Sequence, residues 1–391
     1  MMPLPANLQA IVDAEFPRMS NAEIARHRAA VQALMTEAEC DHLVFCGANR
    51  TGSIVQYLTR WPVTAEAVGV FTPGTRDALF VQWINHEPQA SIIAEDAEVK
   101  WGGESSIASA VAVLKKRGAR PGRVASIGPL RADQHAVLAE AFGPPKSLNK
   151  TYTRLRQVKS EEEIDWLRIG VYFTDLGMAG LRDGVKPGMK ERELDDLIER
   201  PYVRHGAVNF IHYIGVTSMA SPNLGVPRQW PLTRKVQKGD VVVAEITAHF
   251  WDYPGQVLRS FAINEEPNQL YRDLHATADA AFDAITGVLK AGAMPAQVIE
   301  ASRVIENNGF TIIDDLLHGY GGGYLPPVLG CTNRPAAPVP EVPFRTGQVV
   351  VVQPNVVTLD RKAGIQTGEM MVIGDSGIER LHTIPRGFLV I

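Results

Sequence analysis

A single glutamate interrupts an otherwise apolar stretch, and it is the first residue whose type and position could do chemistry. Glu245 follows Asp240-Val-Val-Val-Ala and precedes Ile246, a composition typical of a buried strand. A carboxylate is costly to bury, so a buried glutamate either forms a structural salt bridge or serves a reactive site. We favour the reactive site, in which Glu245 acts as a nucleophile or as a general base.

A histidine before a glycine-rich run is the second candidate. His318 precedes Gly319-Tyr-Gly-Gly-Gly323, where the backbone can approach a ligand closely. An imidazole transfers protons near neutral pH, so we predict that His318 is the acid/base partner of Glu245; a structural histidine is the alternative. The run lacks the Lys-Ser/Thr pair and the following helix of a phosphate-binding loop, so we interpret it as a turn.

Both candidates fall in a segment that contains an internal repeat. Gly239 and Gly347 each precede a buried strand, and the two strands place Glu245 and Gln353 at equivalent positions. Equivalent positions across a pseudo-twofold axis face one shared cleft, which is a natural place for a site. We therefore expect Gln353 to orient a substrate through hydrogen bonds from its neutral amide.

Two residues downstream of Glu245 are further candidates for the same pocket. His249 shares a strand face with Glu245, because side chains alternate with a period of two. Tyr253 follows in the sequence. We predict that both residues border the bound substrate.

The elements that must position these residues divide the chain into two parts. The first third alternates helical segments with apolar strands, for example at 42–46, 67–71, 78–82 and 124–127, which is an α/β pattern. Ser160 and Glu163 then form a capping box that opens a long helix. We predict an α/β (α+β) protein with one domain over residues 1–155 and a second over residues 156–391.

Composition and charge narrow the function classes. The chain has 391 residues and a formal net charge of −4, which does not favour nucleic-acid binding. No apolar run approaches the roughly 20 residues of a membrane span, and no leader is evident at the N-terminus. Cys40, Cys46 and Cys331 are scattered, so we interpret them as reduced thiols of a cytoplasmic protein.

Three segments carry a resemblance to a known family. They are Tyr57-Leu-Thr59, the linker Leu155–Ile164 and the tail Gly377–Ile391. In order and spacing they resemble the creatinase/aminopeptidase P/prolidase family, which has the pita-bread fold. The resemblance spans nearly the whole chain. It implies an N-terminal creatinase/prolidase-type α/β domain, a C-terminal pita-bread domain with a pseudo-twofold internal repeat, and a homodimer with its pocket near the subunit interface.

Peptidases of this family hold two metal ions with two Asp, one His and two Glu. The matching positions in this chain are Glu245, Gln256, His318, Gln353 and Gly368. Paired divalent ions need several anionic oxygens, whereas amides are weak ligands and glycine has no side chain. Glu369 is the next residue, and its side chain could replace the missing ligand only if a β-bulge turned it to the same face of the strand. We therefore predict no metal site and no cofactor, and expect Gln256 and Glu369 to contact substrate instead.

The resemblance also indicates residues at the rim of the pocket. A proton-shuttle histidine of the family falls on Arg228, which either holds a substrate carboxylate or pairs with an acidic residue. In the creatinase branch, the N-terminal domain of one subunit reaches over the pocket of the other. Arg60 and Trp61 could therefore close the site across a dimer interface, with ordinary packing as the alternative.

Family members that work without metal suggest the reaction. Creatinase hydrolyses a guanidino C–N bond, and ectoine hydrolase opens a cyclic amidine and has a stretch similar to Tyr320–Pro327. The resemblance implies a metal-independent hydrolase that cleaves a C–N bond of a small amidine, guanidino or amide compound. Creatine itself is not expected, because Arg228 stands where creatinase has its catalytic histidine. A small-molecule lyase, a degenerate Xaa-Pro peptidase and a non-enzymatic binding protein are the alternatives.

Overall fold

The computed structural model describes residues 3–49 and 53–391. They form two compact units. The N-terminal unit covers residues 13–156, and the C-terminal unit covers residues 157–391 together with the chain up to Val12. That leading segment contains α1 (Ala6–Val12), so it groups with the C-terminal unit although it precedes the other one in the sequence.

The N-terminal unit is built on a mixed sheet. The strands described for it are β1 His42–Gly47, β2 Ala67–Phe71, β3 Asp77–Val81, β4 Ala97–Trp101, β5 Val124–Ile127 and β6 Lys146–Ser147. Its α-helices are α2 Asn21–Glu37, α3 Ile54–Thr59, α4 Glu87–Ile93, α5 Ser106–Lys116, α6 Ala132–Phe142 and α7 Asn149–Leu155. The strands lie in the order β4-β3-β2-β1-β5-β6. This architecture confirms the predicted α/β class.

The C-terminal unit contains a larger sheet. Its helices are α8 Glu161–Gly184, α9 Leu194–Val203, α10 Gln269–Val288, α11 Pro295–Ala301 and α12 Val304–Asn307. Its strands are β7 Val208–Ser218, β8 Asp240–Phe250, β9 Tyr253–Pro254, β10 Val257–Ala262, β11 Thr311–Ile312, β12 Leu317–Tyr320, β13 Tyr324–Leu329, β14 Val349–Val352, β15 Val356–Val357, β16 Gly368–Ile373, β17 Ile378–Arg380 and β18 Leu389–Val390. The main path runs β13-β12-β14-β16-β10-β8-β7, and β11 pairs with β15.

Helices pack on this sheet through alternating side chains. Val350 of β14 belongs to the apolar cluster that includes Leu274 and Phe282 of α10. Its neighbour Val351 belongs to a second cluster that includes Leu167 of α8. Successive residues of a strand point to opposite faces, so β14 contributes to both clusters. The predicted capping box opens α8: Glu163 N donates to Ser160 Oγ, and Ser160 N donates to the Glu163 carboxylate, both at 3.1 Å.

The internal repeat is present in the backbone. Gly239 N donates to Ile263 O, and Gly347 N donates to Ile373 O, both at 2.9 Å. These two glycines have φ angles of 80° and 79°, a left-handed conformation that glycine adopts without steric cost. The same turn therefore introduces β8 in the first half and β14 in the second, which places Glu245 on one strand and Gln353 at the end of the other.

The three cysteines are buried and have free thiols. Burial raises the pKa of Cys40, Cys46 and Cys331. They are therefore poor nucleophiles, because the thiolate is the reactive form. Among the helices in the described ranges, none has the length and apolar content needed to cross a bilayer.

Candidate active site

A cavity of about 550 Å³ opens in the C-terminal unit beside β8. This volume is in the range of small-molecule sites. Its wall contains four aromatic side chains, Phe210, Tyr213, Tyr320 and Tyr324. It also contains two carboxyl groups and three amides, from Glu245, Asp314, Gln229, Gln256 and Gln366. No lysine or arginine is among the described residues that line it.

Glu245 lies at the centre of this wall. It sits on β8 opposite Tyr213 of β7 and Leu258 of β10, and it is only 8% exposed. Gln256 Nε2 donates to Glu245 Oε1 at 2.7 Å. Burial, followed by the nearby Asp314 and Asp315, raises the pKa of Glu245 to about 8, and the Gln256 hydrogen bond only partly opposes this. At neutral pH most molecules therefore carry a protonated carboxyl group here.

An acidic pair before β12 shares the site with Glu245. Asp315 N donates to Asp314 Oδ1 at 3.0 Å. The Tyr324 hydroxyl donates to Asp315 Oδ2, and Gln353 Nε2 donates to Asp315 Oδ1 at 3.3 Å. Burial and the adjacent Asp314 raise the pKa of Asp315 to about 7, while burial raises the pKa of Asp314. Three carboxyl groups with raised pKa values thus belong to one site.

His318 lies behind the cavity wall. It is fully buried, and its ring stacks on that of Tyr324 with centroids 3.7 Å apart. Its Nδ1 hydrogen-bonds to Gly319 O at 3.0 Å. Burial lowers the pKa of His318 to about 4 despite that hydrogen bond, so the ring is neutral at neutral pH. The acid/base role predicted for His318 stays a prediction, and the stacking contact places its ring directly against Tyr324.

Two amide side chains of the wall have polar atoms to which no described residue hydrogen-bonds. Gln256 Oε1 and both amide atoms of Gln366 have no hydrogen-bond partner among the described residues. These side chains are 2% and 1% exposed. Buried polar groups are costly to leave unsatisfied, so these amides are suited to a ligand in the cavity.

Glu369 forms ion pairs with two arginines, and its predicted contact with substrate stays a prediction. It is fully buried and is not part of the cavity wall. Arg259 Nη2 donates to its Oε1 at 2.5 Å, and Arg380 Nε donates to its Oε2 at 2.7 Å. Burial raises the pKa of Glu369, but Arg380 and Arg259 outweigh burial and bring it below the usual value. Both of its oxygens are thus occupied by guanidinium groups.

The donors at the family's metal positions do not suit a pair of divalent ions. Of the five positions, Glu245 supplies the one carboxyl group. A Cβ atom at Gly368 would lie 2.7 Å from Leu258 Cδ1 and 2.9 Å from Gln353 Cβ, so neighbouring side chains fill the space that a ligand at residue 368 would need. Within the described C-terminal unit, no three His, Cys, Asp or Glu side chains bring ligand atoms within 4.8 Å of one another.

The other predicted pocket residues of the C-terminal unit lie outside the wall. Arg228 Nη1 donates to Glu191 at 2.9 Å, so it forms the ion pair that was one of its two expected roles. His249 packs edge-on against Phe210 with ring centroids 5.6 Å apart, which places it one layer behind the cavity. Tyr253 packs against Trp166 with ring centroids 5.6 Å apart. Period-two alternation gave His249 the correct strand face but could not show that Phe210 covers it.

Arg60 and Trp61 are packed inside the N-terminal unit. Each is 4% exposed. Arg60 donates to Asp96 Oδ2 at 2.7 Å, to Asn21 Oδ1 at 2.6 Å and to Met19 O at 3.2 Å. The guanidinium thus binds groups of its own unit, in line with the alternative of ordinary packing, while closure of a neighbouring subunit's pocket stays a prediction.

Sequence reasoning did not select Tyr213, Asp314, Asp315 or Gln366. The acidic pair had a usable signal, because it interrupts the apolar run Thr311-Ile-Ile before Leu316-Leu-His318. Tyr213 and Gln366 had none, since Tyr213 lies beside Glu245 through strand pairing and Gln366 reaches the cavity from the segment before β16.

Comparisons with known proteins agree on family and fold. The model of metallopeptidase family M24 matches residues 166–375. A methionine aminopeptidase from Staphylococcus epidermidis is 26% identical over 207 residues, covering 51% of this chain and 82% of that protein. An Xaa-Pro dipeptidase from Pyrococcus furiosus is 21% identical over 249 residues, covering 62% of this chain and 68% of that protein.

Solved structures extend the similarity to both units. An X-Pro aminopeptidase from Thermotoga maritima superposes with a TM-score of 0.79 at 20% identity, covering 93% of this chain and 99% of the other. A prolidase from Thermococcus sibiricus gives a TM-score of 0.79 at 18% identity, covering 96% of this chain and 100% of the other. These likenesses confirm the predicted pita-bread architecture.

Proposed function

This chain is a hydrolase of metallopeptidase family M24, and from that premise we propose that it cleaves a C–N bond of a small amidine, guanidino or amide compound without a metal ion. One observation carries the proposal. Glu245 remains as a carboxyl group in the cavity wall, whereas amides or glycine occupy the other acidic ligand positions of the family. Chemistry in this cavity therefore depends on proton transfer or attack by side chains.

The protonation of Glu245 suits such chemistry. A pKa of about 8 lies close to the working pH, where one group can serve as base and then as acid. In its ionised form Glu245 takes a proton from water as the water oxygen bonds to the amidine or acyl carbon. It returns that proton to the nitrogen as the C–N bond breaks. Direct attack of the carboxylate on carbon is the nucleophilic version of the same proposal.

The amides of the wall complete the proposed roles. The hydrogen bond from Gln256 to Oε1 of Glu245 leaves Oε2 to exchange the proton. Gln366 and Oε1 of Gln256 are available to orient the substrate. His318 stacks on Tyr324, and as a neutral imidazole it remains the proposed acid/base partner of Glu245. The expectation of a homodimer rests on the family resemblance, and the expectation of a cytoplasmic location rests on the scattered cysteines; both belong to this proposal.

Turnover assays test the proposal directly. Purified protein is screened against cyclic amidines, guanidino acids and small amides, with and without a chelator. We expect hydrolysis of at least one class that the chelator does not reduce, and a loss of at least about 100-fold in Glu245→Gln, in line with the usual contribution of a general base. Asp273→Asn, an exposed change on α10, serves as the control. Undiminished turnover in Glu245→Gln would remove the proposal.

A peptidase is the second candidate, and the names of the relatives favour it. The similar proteins include a methionine aminopeptidase and an Xaa-Pro dipeptidase. Hydrolysis of Xaa-Pro dipeptides that requires added Mn²⁺ and stops with chelator would establish this alternative. The residues at the family's metal positions argue against it, since two cations need more anionic ligands than Glu245 supplies there.

A further inference from the structure

The polarity of the cavity indicates which charge a ligand should carry. Glu245 and Asp314 both line it, and Asp315 lies directly behind. No described lysine or arginine lines the wall to balance them. A bound cation would favour the ionised form of these carboxyl groups, whereas an anion would disfavour it in a poorly solvated space.

Asp314 is the carboxyl group best placed to recognise such a cation. Asp315 already accepts hydrogen bonds from Tyr324 and Gln353, and Glu245 accepts one from Gln256. Asp314 Oδ1 accepts from the backbone of Asp315, and no ion pair forms on Asp314 within the described residues. Burial raises the pKa of Asp314, and the charge of Arg334 opposes this rise only in part.

Aromatic rings form much of the remaining wall. Tyr213, Tyr320, Tyr324 and Phe210 all border the cavity. The faces of aromatic rings attract organic cations and stabilise them further when water is excluded. A wall of carboxyl groups and aromatic side chains therefore favours binding of an organic cation over binding of a neutral or an anionic molecule.

The unpartnered amides specify the kind of cation. Gln256 uses Nε2 to bind Glu245, so its free atom is the acceptor Oε1. Gln366 offers a second unpartnered acceptor, together with its own donor. Both side chains are buried to at least nine-tenths and line the cavity. These acceptors require N–H or O–H donors, which an amidinium or a guanidinium supplies and a quaternary ammonium does not.

We infer that the cavity selects an organic cation with N–H groups, an amidinium or a guanidinium, and that Asp314 determines this selectivity. The inference deepens the proposed function and rests on it for taking the cavity as the substrate site. It excludes neutral amides from the proposed substrate classes.

Binding measurements with four ligands of nearly equal size test the inference without requiring turnover. The probes are benzamidine, benzamide, benzoate and phenyltrimethylammonium, titrated calorimetrically. We expect benzamidine to bind the unmodified protein at least about tenfold more tightly than the other three, a difference of about 1.4 kcal/mol. In Asp314→Asn the preference over benzamide should fall to about threefold or less.

The substitution preserves shape, since the asparagine oxygen can still accept from Asp315 N. Asp273→Asn on the exposed face of α10 removes the same charge outside the cavity and should keep the full preference. Thermal melting of both variants verifies that they fold.

Each outcome separates this inference from the proposed function. Equal binding of benzamide or benzoate, or an unchanged preference in Asp314→Asn, would overturn the inference, even if the protein hydrolyses neutral amides. Tighter binding of phenyltrimethylammonium than of benzamidine would also overturn it. A strong benzamidine preference that depends on Asp314, in a protein that hydrolyses no C–N substrate, would support the inference and refute the proposed function.

Discussion

At the scale of residues, the chemistry of the site depends on one carboxyl group and its neighbours. The sequence indicated Glu245 because burying a charged residue in an apolar strand costs free energy unless the residue has a structural or reactive role. It indicated Gln256 because of its position in the family pattern. It could not indicate Asp314 as a neighbour of Glu245, since a loop between β11 and β12 brings the two together. It predicted an acid/base role for His318 but could not predict the ring of Tyr324, which only the fold places against it.

The raised pKa of Glu245 predicts a pH-dependent stability. A carboxyl group whose pKa rises to about 8 in the folded protein favours folding at low pH, and that contribution is lost as pH rises towards 8. Glu245→Gln removes this loss, because the amide does not ionise. We expect the melting temperature of the variant, relative to the unmodified protein, to increase by several degrees between pH 5 and about pH 9.

The exposed Glu300 on α11 provides the control for that measurement. Glu300→Gln should change the melting temperature by a similar small amount throughout the range. A difference between Glu245→Gln and the unmodified protein that does not vary with pH would contradict the assignment of a raised pKa.

At the scale of elements, β16 is closely packed at Gly368. Gly368 pairs with Leu258 of β10, and a Cβ at this position would lie 2.7 Å from Leu258 Cδ1 and 3.1 Å from Val352 O. We expect Gly368→Ala to destabilise the protein by about 1–3 kcal/mol, the usual cost of overpacking. Denaturant unfolding measures the change.

Gly287→Ala is the matched control for this prediction. Gly287 lies within α10, and a Cβ there meets no atom within 4 Å. Alanine should stabilise the helix at this position by up to about 1 kcal/mol. Equal stability of the Gly368→Ala variant and the unmodified protein would show that Leu258 moves aside without cost.

The strands and helices of the chain were largely predictable, and their contacts were not. Apolar alternation and the Ser160–Glu163 capping box located α8 and the N-terminal strands, because these signals are local. The bond between Glu369 and Arg259 joins β16 to β10, so no local pattern could distinguish it from a ligand position. The same limitation applies to Arg60, whose bonds to Asp96 and Asn21 no local pattern could predict.

At the scale of the whole molecule, the family fold is retained while the ligand set has changed. A metal that binds the folded state stabilises it by about 2.7 kcal/mol when present at one hundred times its dissociation constant. We expect the melting temperature to stay within about 1 °C when Mn²⁺, Co²⁺, Zn²⁺ or a chelator is added, because no three His, Cys, Asp or Glu side chains of the described C-terminal unit bring ligand atoms within 4.8 Å of one another. Elemental analysis of the purified protein independently measures the number of bound metal ions per chain.

A rise of several degrees with one of these ions, together with about two equivalents per chain, would contradict this expectation. The Glu245→Gln variant serves as the control. A shift that persists in it would indicate metal binding away from the cavity.

The close packing around Gly368 also bears on how this protein could change over evolutionary time. A glutamate introduced there would meet Leu258 and Gln353 before it could bind anything, so the first step back towards a metal enzyme would be a defective intermediate. Selection for peptidase activity should therefore fail from single substitutions at residue 368. It should succeed only from lineages in which a smaller side chain has first replaced Leu258.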